Sequence, residues 1–229
     1  MLIDTGFNPA LLRDGPLRRR FHSDGTEAIL PEGPGDPLES ALEAAGLALA
    51  DVKVVALSHL HYDHAGGVRH FTGFGVPVHL QRAEYSYAMS AHPEPERHGM
   101  FRIDYDDPEI NWRLADGDAE IAPGVHAVAS PGHTPGHQSF VVDLDPSVGG
   151  GGFVFAFDAA DLVANIEHEL SVGSFINCRP EDTVASIRRL KALAAERGYP
   201  IVPGHDPVAW PALSSQLASR WPAAGRYAP

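Results

Sequence analysis

The stretch Ser58-His59-Leu60-His61-Tyr62-Asp63-His64-Ala65-Gly66-Gly67 places three histidines and one aspartate within six positions, directly after the apolar run Val52-Lys53-Val54-Val55-Ala56-Leu57. Imidazole nitrogens and carboxylate oxygens are ordinary ligands of zinc and its transition-metal neighbours. At the chain's own His and Asp frequencies, His-x-His-x-Asp-His should arise by accident in roughly 0.3% of chains of this length, so we read the cluster as a metal site rather than a solvated loop. Three further residues of ligand type, His133, Asp158 and His205, each follow an apolar, strand-like run, as the first cluster does. Strand ends on one edge of a sheet converge in space, and open α/β sheets place their ligand sites there. The seven together are too many for one tetrahedral zinc with an open position. They suit two metals about 3.5–4 Å apart that share a carboxylate and a hydroxide. The imidazole-rich set favours zinc or a neighbouring transition metal over magnesium or calcium.

The elements that must position these residues alternate along the chain. Leu2-Ile3 ends a strand that turns at Asp4-Thr5-Gly6. Residues 7–35, with Arg18-Arg19-Arg20 and several Gly and Pro, show no period and read as a long loop. Asp36-Pro37 opens a helix with an apolar stripe at Leu38, Leu42 and Ala45, closed by Gly46. Residues 52–57 read as a buried strand. Gly66-Gly67 allows a close turn, followed by a short helix through His70. Residues 76–80 read as a strand whose proline places it near an edge. Residues 82–90 read as helical and 92–109 as irregular, and residues 112–114 and 120–122 flank Asp116-Gly117-Asp118 as a hairpin. Strands are expected at 125–129, 139–144 and 153–157. The clearest helix is Pro180 to Arg197, with Val184, Ile187, Leu190, Leu193 and Ala194 on one face and Gly198 at its end. A short strand at Ile201-Val202 and a helix over 207–219 complete the order. We expect one domain over residues 1–229, an α/β protein built as a four-layer αββα sandwich with its first strand or strands short or missing.

Composition narrows the class. A 229-residue chain that is 44% hydrophobic can bury a sizeable core. A formal net charge of -13 disfavours nucleic acid or an anionic membrane surface as the partner, and two divalent metals would offset part of it. With Cys178 as the one cysteine, no internal disulfide forms and a reducing compartment fits. The start has no secretory signal pattern and no apolar run reaches the ~20 residues of a membrane span, so a soluble cytoplasmic protein is expected.

The sequence resembles the metallo-β-lactamase superfamily, and within it the N-acyl-homoserine lactonase-like family. The residues that carry this are Leu2-Ile3-Asp4-Thr5-Gly6, His59 to His64, Pro131-Gly132-His133-Thr134-Pro135-Gly136-His137-Gln138-Ser139, Asp158-Ala159 and Gly204-His205. The resemblance implies that His59, His61 and His133 bind one zinc and that Asp63, His64 and His205 bind a second, with Asp158 bridging them. It implies two Zn2+ per chain, other transition metals being acceptable, and a hydroxide between them that attacks the carbonyl carbon of a small-molecule lactone. Asp63 and Asp158 carry the catalytic roles, Asp63 as proton shuttle as well as ligand. A homodimer is also expected, because relatives of this kind often dimerise.

The chain departs from the family twice. Lactonases of this kind usually have a tyrosine three residues after the bridging aspartate; here that position is Asp161, which when ionised donates no hydrogen bond and repels an oxyanion. The family also has a strand or two before Asp4-Thr5-Gly6. Two other activities compete: a glyoxalase-II-like thioester hydrolase, disfavoured because the chain runs so little past His205, and a catalytically weak metal-binding homologue. A β-lactamase fits less well, since a bridging Asp158 matches the lactonase pattern. His137 reads as a supporting histidine beside His133, and Asp4 as a turn residue or a partner of a ligand histidine. His22, His70, His79, His92, His98, His126 and His168 show no partner pattern. Phe21, Met89, Phe101, Tyr105 and Trp112 are candidates for an acyl-chain pocket, although residues of this kind are more often core.

Overall fold

Among the described residues nine strands form two sheets, one of order β1-β2-β3-β4 and one of order β5-β6-β7-β8-β9. The structure, a computed structural model, describes residues 1–21, 35–172 and 179–220. His22, Cys178, residues 22–34 of the expected loop and the side chain of Phe21 lie outside the described residues. Backbone proximity divides the chain into two compact units, Met1–His79 with Ala88–Arg113, and Leu80–Tyr87 with Leu114–Pro229.

The first sheet consists of β1 (Leu2–Ile3), β2 (Val55–Ala56), β3 (Pro77–Gln81) and β4 (Asn111–Ala115). β1 and β2 run parallel with Leu2 opposite Val55, and β2 and β3 run parallel with Val55 opposite Val78. Residues 52–57 thus yield a strand of only two residues, although Val54 O still accepts Leu2 N and Leu57 N still reaches His79 O, both at 2.9 Å. β3 lies inside the sheet, not at its edge; Pro77 is its first residue, where a missing N–H is tolerated. Most of residues 9–21 are not loop. They form the helices Pro9–Arg13 and Gly15–Phe21, the first capped by Asn8 Oδ1 accepting Ala10 N–H at 2.8 Å. These helices are too short to show a period, and Asn8-Pro9 was their sequence signal. Single turns at Glu94–Arg97 and Arg102–Tyr105 likewise interrupt the stretch expected to be irregular.

The second sheet consists of β5 (Ala119–Ala122), β6 (Val125–Ala129), β7 (Gln138–Asp143), β8 (Gly152–Phe157) and β9 (Ile201–Pro203). Its first four strands are antiparallel and β9 joins β8 in parallel. The hairpin expected across Asp116-Gly117-Asp118 does not form, because β4 and β5 belong to different sheets. The turn is real, and Gln81 holds it: its Nε2 donates to Gly117 O at 2.8 Å and its Oε1 accepts Gly117 N–H at 2.9 Å. Helix Pro180–Arg197 occupies the expected residues, starting with Pro at its first turn and ending at Gly198 with φ 68°. Ile187, Leu190 and Ala194 bury against Val128, Val141, Val154 and Ala156 of the sheet. Val184 is only partly buried, and Thr183 and Ser186 take the inner positions instead.

One buried acid in the first unit has consequences for stability. Asp104 is fully buried, and burial pushes its carboxyl up to about 7, against the opposing pull of the Asn8 hydrogen bond (2.7 Å) and the Arg69 charge. The folded state therefore binds a proton that the unfolded chain releases near its ordinary value, so this group lowers stability as pH rises from about 4 to about 7. Asp104→Asn, which keeps an acceptor for Asn8, should be more stable than the parent at pH 8 by on the order of 2–4 kcal/mol. Denaturant titrations from pH 8 downward should show the gap narrowing below pH 7 and closing only near pH 4.

Candidate metal centre

In the first unit, the chain leaves β2 and enters the helical turn Tyr62–Ala65 with His61 as its N-cap, which puts Asp63 and His64 in the first turn. Asp4 organises this group. It sits at φ 56°, in the left-handed region that few non-glycine residues adopt and that aspartate and asparagine tolerate best. Its Oδ1 accepts Ser58 N–H at 2.7 Å, and its Oδ2 accepts the Ser58 hydroxyl and faces His64 Nδ1, both at 2.7 Å. With that hydroxyl proton committed to Asp4, Ser58 Oγ is left to accept from His59 Nδ1 at 3.0 Å. Both imidazoles are thereby assigned their proton on Nδ1, which leaves Nε2 as the lone-pair nitrogen. Nε2 of His59 meets Nδ1 of His61 at 3.0 Å, a spacing that a common cation accommodates. Asp63 Oδ2 lies 3.6 Å from His64 Nε2. Burial and the Asp63 charge, opposed by His64, push the Tyr62 phenol up to about 12, so it stays protonated; its ring stacks on Phe101 at 5.3 Å.

Gly66 and Gly67 serve this arrangement by their size. Both have ordinary negative φ. A Cβ at Gly66 would overlap the backbone of Phe7 and Asn8, and one at Gly67 would come 2.5 Å from Thr5 O. The turn that carries Asp4 can therefore lie directly on the ligand turn, where Thr5 N and Oγ1 both donate to His64 O at 2.7 and 2.9 Å.

In the second unit, β8 ends in Phe157 at φ 49° and delivers Asp158, which is 5% exposed. Asp158 Oδ2 lies 3.4 Å from His133 Nε2, and Oδ1 lies 3.2 Å from His205 Nε2. Each carboxylate oxygen thus faces a different histidine, the disposition that a carboxylate shared by two ions requires. Ligand atoms of Asp158, Asp161 and His205 also lie within 4.8 Å of one another. The β9 end approaches closely because Gly204 has no side chain: a Cβ there would come 2.8 Å from Phe157 C and O. Imidazole-rich donors around a shared carboxylate fit a pair of transition-metal ions.

The turn holding His133 is fixed from two sides. Ser186 Oγ donates to Pro131 O at 2.7 Å and Arg179 N to Gly132 O at 2.8 Å, which explains the polar residues on the inner face of the long helix. On the other side Glu84, fully buried in helix Arg82–Ala88, accepts Thr134 Oγ1–H at 2.8 Å and Gly136 N–H at 3.0 Å. Nothing in the sequence marks Glu84, since an acid on a short helix reads as surface. His137 packs edge-on to His133 with centroids 6.1 Å apart and bonds to Ser130, in keeping with a supporting role. His70, His98 and His126 each lie against a carboxylate, of Asp36, Glu94 and Asp143 respectively. Phe101 and Tyr105 are buried in the first unit, and Tyr105 bonds Met100 O.

Comparison with known families matches residues 1–205 to the metallo-beta-lactamase superfamily. The chain belongs to this superfamily. An N-acyl homoserine lactonase, AttM, from Azorhizobium caulinodans is 36% identical over 182 residues, 75% of this chain and 65% of that protein. An N-acyl homoserine lactonase of Bacillus thuringiensis is 32% identical over 207 residues, 90% of this chain and 76% of that protein. The chain thus spans only part of these relatives' length, less than two thirds of the first and about three quarters of the second. Among solved structures, an N-acyl homoserine lactone hydrolase with N-hexanoyl-L-homoserine, its product, at the catalytic metal centre matches with TM-score 0.74 and 29% identity over 92% of this chain and 78% of the other. The fold is the metallo-β-lactamase fold, α/β with two sheets and helices, as the residue pattern led us to expect.

Replacing Glu84 by Ala leaves Thr134 and Gly136 without their buried acceptor. We expect a loss of about 2–4 kcal/mol in denaturant titrations. Gly136→Ala, whose Cβ would overlap the Glu84 backbone, should cost at least as much.

Proposed function

We propose that the chain is a dinuclear-metal hydrolase that opens the ring of a lactone, with an N-acyl homoserine lactone as substrate. The observation that carries this is Asp158, with one oxygen toward His133 and the other toward His205, in a chain whose relatives are named N-acyl homoserine lactonases. His59, His61 and His133 hold one ion in this proposal, Asp63, His64 and His205 hold the other, and Asp158 belongs to both. Zinc suits the imidazole-rich set. A bound metal pair would supply water acidified to a pKa near ~7 and a Lewis acid for the lactone carbonyl.

The chain's own residues do the rest. Asp4 keeps His64 in its Nδ1–H tautomer directly, and His59 through Ser58, so that each presents Nε2 as the ligand nitrogen. Asp63, at 24% side-chain exposure, carries the proton of the attacking water to the ring oxygen that leaves as an alkoxide. Addition of water to the carbonyl carbon and cleavage of the ring C–O bond give a hydroxy acid, which releases a proton at neutral pH. We place this activity in one domain over 1–229, in the cytoplasm and in a homodimer. The single cysteine agrees with a reducing compartment, and no helix among the described residues is long and apolar enough to cross a membrane.

The test is a panel of lactones and thioesters assayed by pH-stat on metal-reconstituted protein. We expect about two metal ions per chain, turnover of lactones over thioesters, and loss of turnover in His61→Ala and Asp158→Ala. Asp4→Ala should weaken metal binding about 10–100-fold while keeping the fold. Full activity in chelated, metal-free protein would sink the proposal, and thioester turnover alone would move it to the glyoxalase-II-like reaction.

A further inference from the structure

Asp161 is the ligand-type residue that this scheme leaves without a task. Its carboxylate, that of Asp158 and the His205 ring each offer an atom within 4.8 Å of the others, about the span of donors arranged 2.0–2.4 Å from one centre. The approach is set by the main chain. His205 N–H donates to Asp161 O and Gly204 N–H to Ala160 O, both at 2.9 Å, while Asp206 Oδ2 accepts Val163 N–H at 2.9 Å. Asp206 also caps the next helix through Val208 N and Ala209 N at 2.8 and 2.9 Å. These bonds tie residues 160–163 to residues 204–209, so Asp161 and His205 meet as parts of one rigid corner. Two ionised carboxylates held this close, one of them almost fully buried, repel each other, and a cation lying with them would remove that repulsion.

We propose that Asp161 is an additional carboxylate ligand of the ion assigned to His205 and Asp158, an inference that rests on the dinuclear centre proposed above. That ion would then have three carboxylates, Asp63, Asp158 and Asp161, beside two imidazoles, while its neighbour has three imidazoles and the shared Asp158. The two positions differ in hardness. The carboxylate-rich one accepts a harder ion such as Mn2+ more readily than its neighbour does, and the imidazole-rich one prefers zinc. As an ionised ligand, Asp161 has no need to donate a hydrogen bond to substrate.

The test loads metal-free protein with Zn2+ and Mn2+ separately and in competition, and reads stoichiometry by elemental analysis and the Mn2+ environment by electron paramagnetic resonance. Wild type should hold about two ions, with Mn2+ concentrated in one position. Asp161→Asn should weaken the second ion by at least about tenfold, more for Mn2+ than for Zn2+, and leave the first ion unchanged, while the metal-free variant, relieved of one carboxylate charge, unfolds at a temperature no lower than metal-free wild type. Asp161→Glu, which keeps the carboxylate, should retain two ions. Two ions bound by Asp161→Asn with wild-type affinity would overturn the inference alone, and so would equal weakening of both ions. A wild type that holds fewer than two ions would instead overturn the dinuclear centre.

Discussion

Everything at this site depends on the electrostatics of Asp158. A carboxylate that is 5% exposed, with His133 against one oxygen and His205 against the other, is tolerable only if its charge is matched locally. Removing water makes each such contact stronger and each mismatch more costly. The chain therefore surrounds these side chains with rigid supports. Phe157, directly before Asp158, and Asp4, which grips Ser58 and His64, are two of the three non-glycine residues with positive φ among those described. Strain of this kind persists only where neighbouring structure over-determines it, and here both instances lie at carboxylates that orient histidines.

The supports come from ordinary packing. Glycines 66, 67, 136 and 204 stand where a single methyl group would overlap backbone. They let one turn rest directly on another, so hydrogen bonds between main chains do the positioning that long side chains would do less rigidly. The helix Pro180–Arg197 has two jobs: Ile187, Leu190 and Ala194 seal the second sheet, while Thr183 and Ser186 grip the turn before His133. Stability and site geometry are thus coupled through one element. A cavity opened under Leu190 would loosen the turn as well as the core.

Much of this was legible in the residues. The long helix was readable to the residue because Pro180, the 3.6-residue period and Gly198 agree. The His59–His64 cluster stood out because its spacing is improbable otherwise. The failures share a cause. Pro77 reads as an edge signal, yet it only opens an interior strand; Asp116-Gly117-Asp118 reads as a hairpin, yet it links two sheets. Both signals were local and correct as turn or strand-start chemistry, but pairing is a non-local matter. The helices at Pro9–Arg13 and Gly15–Phe21 are too short to show a period, and for the first the Asn8-Pro9 cap is the one local signal.

The amino-acid sequence alone determined the superfamily, and with it which residues of metal-ligand type are present and their succession after apolar strands. Such properties follow from residue type and short spacing, which are written directly in the chain. Only the tertiary structure decided that Asp158 divides its oxygens between two histidines, that Glu84 is a buried clasp, and that Asp161 turns toward Asp158 and His205. Each of these joins residues distant along the chain, or depends on where a side chain points once the backbone is fixed. Those outcomes belong to the packing of strand ends against one another, and no local pattern encodes them.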